Sequence, residues 1–162
     1  MPCECCTLKE RFVIKPPYMK KVSDILTRKG TTIVSVSPTT TVLEALRMMA
    51  SHNIGSVAIM DGDSLVGIMT ERDYSRKVIL KSKSSTDTPV ADIMSTDYPK
   101  VHPSDTIEHC MQLLSEQNIR YLPVFEGEKM SGIISINDVV RETIISQEET
   151  ISNLKEYLHA NL

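Results

Sequence analysis

The residues best suited to chemistry in this 162-residue chain come as a phrase said twice. Residues 67–73 read GIMTERD and residues 132–138 read GIISIND: a glycine, an apolar pair, a hydroxyl residue, two variable positions and an aspartate. An ionised carboxylate accepts stronger hydrogen bonds than a neutral group, so Asp73 and Asp138 are candidates to accept from the donors of a bound ligand. Thr70 and Ser135 stand where helices begin, and there a hydroxyl and unpaired backbone N–H groups meet a phosphate. Gly67 and Gly132 would let backbone and ligand approach closely, and Ile68 and Ile133 would offer an apolar wall to it. The same residues also spell a capping box, with a hydroxyl at the N-cap and an acid three residues later, worth about 1 kcal/mol at any helix start. The two roles are compatible.

The phrase is part of a longer repeat. A shift of 65 positions lays Pro38 on Pro103, Thr41 on Thr106, Asn53 on Asn118, Gly62 on Gly127 and Asp73 on Asp138 without a gap. Upstream, VSDIL at 22–26 matches VADIM at 90–94 across a three-residue length difference. TIVSV and KVHP predict short strands ended by Pro38 and Pro103. Val42, Ala45, Leu46 and Met49, and likewise Ile107, Cys110, Met111 and Leu114, fall at helical spacing behind Thr41 and Thr106 as N-caps. SVAIMDGDSLVGIM and YLPVFEGEKMSGII each set two apolar runs around a glycine turn, the signal of a hairpin, and a second helix follows each. One such unit cannot bury its sheet alone, but two packed together can.

The expected fold class is therefore α/β (α+β), with two β-α-β-β-α repeats packed about a pseudo-twofold. The expected divisions are an N-terminal tail over 1–21, a first repeat over 22–82, a second over 83–143 and an amphipathic helix over 144–162. That helix shows Ile151, Leu154 and Leu158 on one face, suited either to packing back on its own module or to contacting a second copy.

Composition narrows the function. Hydrophobic content of 41% and charged content of 24% mark a globular chain. A net charge of −3, two Phe and no Trp disfavour nucleic acid as a partner. No run of about 18 apolar residues predicts a membrane span, and the start lacks the apolar region of a secretory signal. Cys3, Cys5 and Cys6 form a tight cluster open to three readings: metal ligation, thiol modification or a loose tail. Cys110 reads as a small buried thiol, and a reducing, cytoplasmic compartment is expected. Met48, Met49, Met60, Met69, Met94 and Met111 fall at core positions. The histidines at 52, 102, 109 and 159 make no nucleophile or metal set, and no phosphate-loop motif appears, so no enzyme and no catalytic cofactor are expected.

With the doubled phrase, the NIRYLPV stretch and the order of elements in view, the chain resembles a tandem pair of CBS domains (cystathionine beta-synthase domains), a Bateman module, over about residues 22–143. Its TERDYSRKV wording is similar to that of stand-alone CBS-pair proteins of bacteria and plant organelles. The resemblance implies a non-catalytic sensor that binds AMP, ADP, ATP, S-adenosylmethionine or NAD as a regulatory ligand in clefts between the repeats. It also implies a homodimer that transmits ligand state to a partner protein. By the same resemblance one cleft joins Thr70 and Asp73 to Val101, Arg120, Tyr121 and Ile133. The other joins Ser135 and Asp138 to Val34, Gly55, Ser56 and Ile68. Arg120 and Tyr121 supply a cation and a ring where the first repeat has Gly55 and Ser56, which favours the Thr70/Asp73 cleft for phosphate and base. Many members of the family carry His where Tyr121 stands, so the preferred phosphate count is open. Arg72, with Arg76 and Lys77, reads either as added charge near the phosphates or as a solvated helix face. The alternative function is a ligand-free CBS pair that dimerises and docks a partner protein.

Overall fold

The computed structural model describes residues 19–160, so the Cys3/Cys5/Cys6 cluster lies outside the described residues. The first copy supplies α1 (Val22–Lys29), β1 (Ser35–Val36), α2 (Val42–His52), β2 (Ser56–Asp61), β3 (Ser64–Thr70) and α3 (Glu71–Lys77). The second supplies a short 3-10 turn at Val90–Asp92, then α4 (Ile107–Glu116), β4 (Tyr121–Glu126), β5 (Lys129–Ser135) and α5 (Ile136–Ala160). The mixed α+β class and the doubled order are those read from the sequence.

The register repeats with the sequence. In the first copy β1 runs parallel to β2, pairing Val36 with Ile59, and β2 pairs antiparallel with β3. In the second copy β4 and β5 form the hairpin, and Val101 makes one parallel bridge to Val124. Those pairs are related by the 65-residue shift. So are the bulges, at Ile59/Met60 and Val124/Phe125, and the hairpin turns, where Gly62 and Gly127 hold φ of 59° and 64°. L-residues with side chains rarely adopt that left-handed region, which accounts for the glycines. The expected strands TIVSV and KVHP shrink to Ser35–Val36 and a single bridge at Val101. Pro38 and Pro103 bring no N–H to extend the ladder.

Helices α2 and α4 start as expected: Thr41 Oγ1 accepts from Glu44 N at 3.3 Å and Thr106 Oγ1 accepts from His109 N at 3.2 Å. The expected helix over 144–162 is not a separate element, because α5 continues unbroken from Ile136 to Ala160. No proline or glycine interrupts residues 136–160, so nothing in the chain stops the helix.

The two copies exchange their leading segments. Helix α1 buries Val22, Ile25 and Leu26 in one core with Ile107, Cys110, Leu122 and Ile134 of the second copy. Val90 and Ile93 enter the other core, with Val42, Met49, Ile59 and Met69 of the first copy. Equivalent backbone bonds tie each down: Val22 N donates to Asp105 O at 2.9 Å and Val90 N to Thr40 O at 2.8 Å. Each core thus needs a segment from the other copy. A third cluster, Ala58, Phe125 and Met130, seals the seam between the hairpins.

Candidate functional site

Each aspartate of the phrase is held first by its own helix start. Asp73 Oδ2 accepts from Thr70 N at 3.0 Å and from Thr70 Oγ1 at 2.7 Å, while Thr70 Oγ1 accepts from Asp73 N at 3.1 Å. Asp138 repeats the arrangement with Ser135 N at 2.7 Å, Ser135 Oγ at 2.8 Å and its own N–H returned to Ser135 Oγ at 3.2 Å. Both capping boxes are formed.

The second carboxylate oxygens differ. Oδ1 of Asp73 accepts from Ser95 Oγ at 3.0 Å and pairs with Lys77 Nζ at 2.8 Å. Asp138 is paired through Oδ2, with Lys29 Nζ at 2.8 Å, and its Oδ1 has no donor among the described residues. Burial pushes both carboxyls up, and their donors outweigh it: Lys77, Thr70 and Ser95 bring Asp73 below the usual aspartate range, and Lys29 and Ser135 do so for Asp138.

Around these acids lie two clefts built from both copies. The first, of about 160 Å³, gathers Thr70, Glu71, Arg72, Asp73 and Ile68 with Ser95, Asp97, Tyr98, Ile119, Arg120, Tyr121 and Gly55. The second, of about 340 Å³, gathers Ser135, Asn137, Asp138 and Ile133 with Lys29, Thr32, Ile33, Val34, Asn53, Ile54, Gly55, Ser56 and Tyr121. Thr70, Asp73, Arg72, Arg120 and Tyr121 therefore share one cleft, and Ser135, Asp138, Val34, Gly55 and Ser56 the other. Arg72 is tied across the copies, donating from Nη1 to Asn118 O at 2.7 Å.

Three expectations are corrected. Ile68 lines the Thr70/Asp73 cleft and Ile133 the Ser135/Asp138 cleft, the reverse of the expected exchange. Each isoleucine is on the strand that leads directly into its own Thr or Ser, so it stays on that side. Val101 lines neither cleft; it is fully buried in the core, held by its bridge to Val124. Gly67 and Gly132 make room for protein rather than ligand: a Cβ on Gly67 would meet Met94 Cγ at 2.8 Å, and one on Gly132 would meet Leu26 Cδ2 at 2.9 Å. Leu26 and Met94 are the equivalent last residues of VSDIL and VADIM, so these glycines seat the exchanged segments.

The sequence reading missed Asp97, Tyr98, Thr32 and Ile33. The 65-residue shift pairs Thr32 with Asp97 and Ile33 with Tyr98, the two positions just before Val34 and its equivalent Pro99, so each pair is one repeated feature of the segment ahead of β1. Lys29 was missed because its chain neighbourhood reads only as a helix end. Among the described residues, no group of His, Cys, Asp and Glu is placed to hold a metal ion, and no helix is long and apolar enough to cross a membrane.

A fold of two exchanged β-α-β-β-α units with a cleft on either side of their seam defines a paired-repeat module. The model of the CBS domain matches residues 22–79 and 90–144, and the chain belongs to that family. A mitochondrial CBS domain-containing protein of Arabidopsis thaliana is 34% identical over 146 residues, covering 85% of this chain and 71% of its own. The structure of a candidate signal-transduction protein with CBS domains from Burkholderia ambifaria is 41% identical, with a TM-score of 0.76 over 79% of this chain and 96% of its own. A CBS domain pair solved in complex with 5′-methylthioadenosine and S-adenosyl-L-methionine is 25% identical, with a TM-score of 0.69 over 77% of this chain and 96% of its own. A hexameric cyanobacterial CBS-CP12 protein, also 25% identical, has a TM-score of 0.68 over 76% of this chain and 68% of its own.

Proposed function

We propose that this chain is a non-catalytic sensor module that binds an adenosine-containing ligand in the Ser135/Asp138 cleft and transmits its presence to a partner protein. The carrying observation is Asp138, whose Oδ1 has no donor among the described residues, in a cleft of about 340 Å³, a size in the range of small-ligand sites. A ribose hydroxyl supplies the missing donor, and Val34 and Ile133 supply apolar walls for a purine. The Thr70/Asp73 cleft has the arginines and shares the Tyr121 ring, but it is smaller, and both carboxylate oxygens of Asp73 are taken. This reverses the preference drawn from residue types alone.

Charge selects among the ligands. Lys29 and Asp138 are the charged residues lining the cleft, and they pair with each other. A triphosphate would find little countercharge there, so AMP fits better than ADP, ATP or NAD. A related CBS pair is solved with two adenosine compounds that carry no phosphate, which is in keeping with a ligand of few phosphates here.

Thermal-shift measurements with AMP, ATP, NAD and S-adenosylmethionine test the reading. At 100 times its dissociation constant a ligand adds about 2.7 kcal/mol, a shift of several degrees for a domain of this size. AMP should give the largest shift of the nucleotides. No shift from any adenosine compound at millimolar concentration would leave the ligand-free scaffold, which the fully engaged Asp73 favours.

We also infer self-association as a homodimer. Ile144, Ile151, Leu154 and Leu158 are 49–62% exposed on α5, and apolar faces of this kind are commonly buried by symmetric pairing. A reducing compartment such as the cytoplasm suits the buried, unpaired Cys110.

A further inference from the structure

Helix α5 outruns the module it belongs to. Every residue from Ile151 to His159 is exposed, and Ile151, Leu154 and Leu158 are 52%, 58% and 62% exposed. A helical stretch this short and solvated all round is marginal in water on its own propensity. Its apolar residues are ordered: positions 144, 147, 151, 154 and 158 carry Ile, Gln, Ile, Leu and Leu. That alternation of threes and fours is the seam of a two-helix coiled coil, and its natural complement is another such seam.

We propose that the Gln147–Leu158 stretch of α5 pairs antiparallel with the same stretch of a second copy of this chain. Charge chooses the direction. Glu148 and Lys155 flank the seam on one edge, both are exposed, and neither has an ion pair or hydrogen bond among the described residues. The opposite edge carries Thr143, Thr150 and Tyr157. A parallel pair brings unlike edges together, so Glu148 and Lys155 would face uncharged side chains. An antiparallel pair brings like edges together.

Charge also chooses the register. Setting Ile151 against Leu154 of the second copy, and Leu158 against Gln147 of the second copy, brings Glu148 of each helix to Lys155 of the other. A slip of one heptad would set Glu148 against Glu148 and Arg141 against Lys155, like against like. In the favoured register Gln147 falls in the end layer, open to water. The contact is isologous and closes on itself after two copies; it spans twelve residues, about 18 Å of helix. It rests on the self-association proposed above and names its surface.

Sedimentation velocity on the full chain and its variants tests the surface. Glu148→Lys and Lys155→Glu should each raise the dimer dissociation constant about three- to tenfold, and the double variant should restore it. Leu154→Asp should abolish the pairing while leaving the melting transition and the response to AMP in place, because Leu154 is exposed in the single chain. A wild-type chain that stays at 18.1 kDa at tens of micromolar overturns self-association and this surface together. A dimer that survives Leu154→Asp overturns the surface alone. A double variant weaker than either single overturns the antiparallel register.

Discussion

The hydroxyl end of Tyr121 lies against the α-carbon of Gly55, and the two residues form a wall common to both clefts. The hydroxyl also feels charge from either side. Burial pushes its pKa up most, Glu71 of the first cleft and Asp138 of the second push it further, and Arg120 opposes them. A methyl group at position 55 has no room beneath this ring. Gly55→Ala should therefore cost about 1–3 kcal/mol by overpacking, and Tyr121→Phe should relieve part of it. A double-mutant cycle by chemical denaturation should show at least about 0.5 kcal/mol of coupling. Additive costs would place the strain elsewhere.

The two aspartates should separate stability from binding. Asp73→Ala removes a cap, the bond from Ser95 and the pair with Lys77, and should destabilise by about 1–3 kcal/mol while keeping its thermal response to AMP. Asp138→Ala loses fewer partners and should cost less stability but lose the AMP response. An AMP shift lost in Asp73→Ala and kept in Asp138→Ala would assign the ligand to the other cleft.

Gly67→Ala and Gly132→Ala test the role of the glycines as seats for the exchanged segments. At Gly67 the new methyl meets the Met94 side chain down to its Cβ, 3.0 Å away, while at Gly132 it meets only the tip of Leu26. A chain tip yields more readily than a Cβ, so Gly67→Ala should be the more destabilising, by about 1–3 kcal/mol. Met94→Ala should rescue part of that loss. Equal losses at both glycines, measured by denaturant titration, would contradict this account.

Acid should weaken the fold through the same carboxylates. Asp73 and Asp138 both titrate below the ordinary aspartate value in the folded chain, which lies near 3.9. A depressed folded pKa gives stability that is fully present above the unfolded value and is lost as pH falls through the folded one. Denaturation midpoints followed from about pH 7 down to 3 should fall mainly below about pH 4.5. Lys77→Met, which removes a donor to Asp73, should flatten that fall; an unchanged profile would remove Asp73 as its source.

Cys110 should be inert in the folded chain. It is fully buried, and burial, with Asp105 and Glu108 nearby, pushes its thiol up to about 12. Since the thiolate is the reactive form, alkylation at pH 8 followed by peptide mass spectrometry should leave Cys110 unmodified until denaturant is added. Rapid native labelling would show an opening of the α1/α4 core.

The architecture of each unit is legible in its residues alone. Helix spacing, the Thr41 and Thr106 caps, the left-handed glycines of the hairpins and the 65-residue shift are local or periodic signals, and local signals survive without knowledge of what packs where. The capping boxes are legible too, since Thr70 and Asp73, like Ser135 and Asp138, stand three residues apart at a helix start. Which partners meet depends on contacts between distant parts of the chain. That α1 serves the second core and Val90–Asp92 the first is a choice between two nearly identical hydrophobic segments, and composition does not distinguish them. The same choice put Met94 and Leu26 where the phrase glycines were expected to admit ligand, and kept Ile68 and Ile133 beside their own aspartates. It also brought Lys29 to Asp138 from 109 positions away and Ser95 to Asp73, leaving, among the described residues, an oxygen without a donor on Asp138 and none on Asp73. Residue types favoured the cleft with Arg120 and Tyr121; the long-range contacts shifted the balance, because a carboxylate already saturated with donors has little left to offer a ribose.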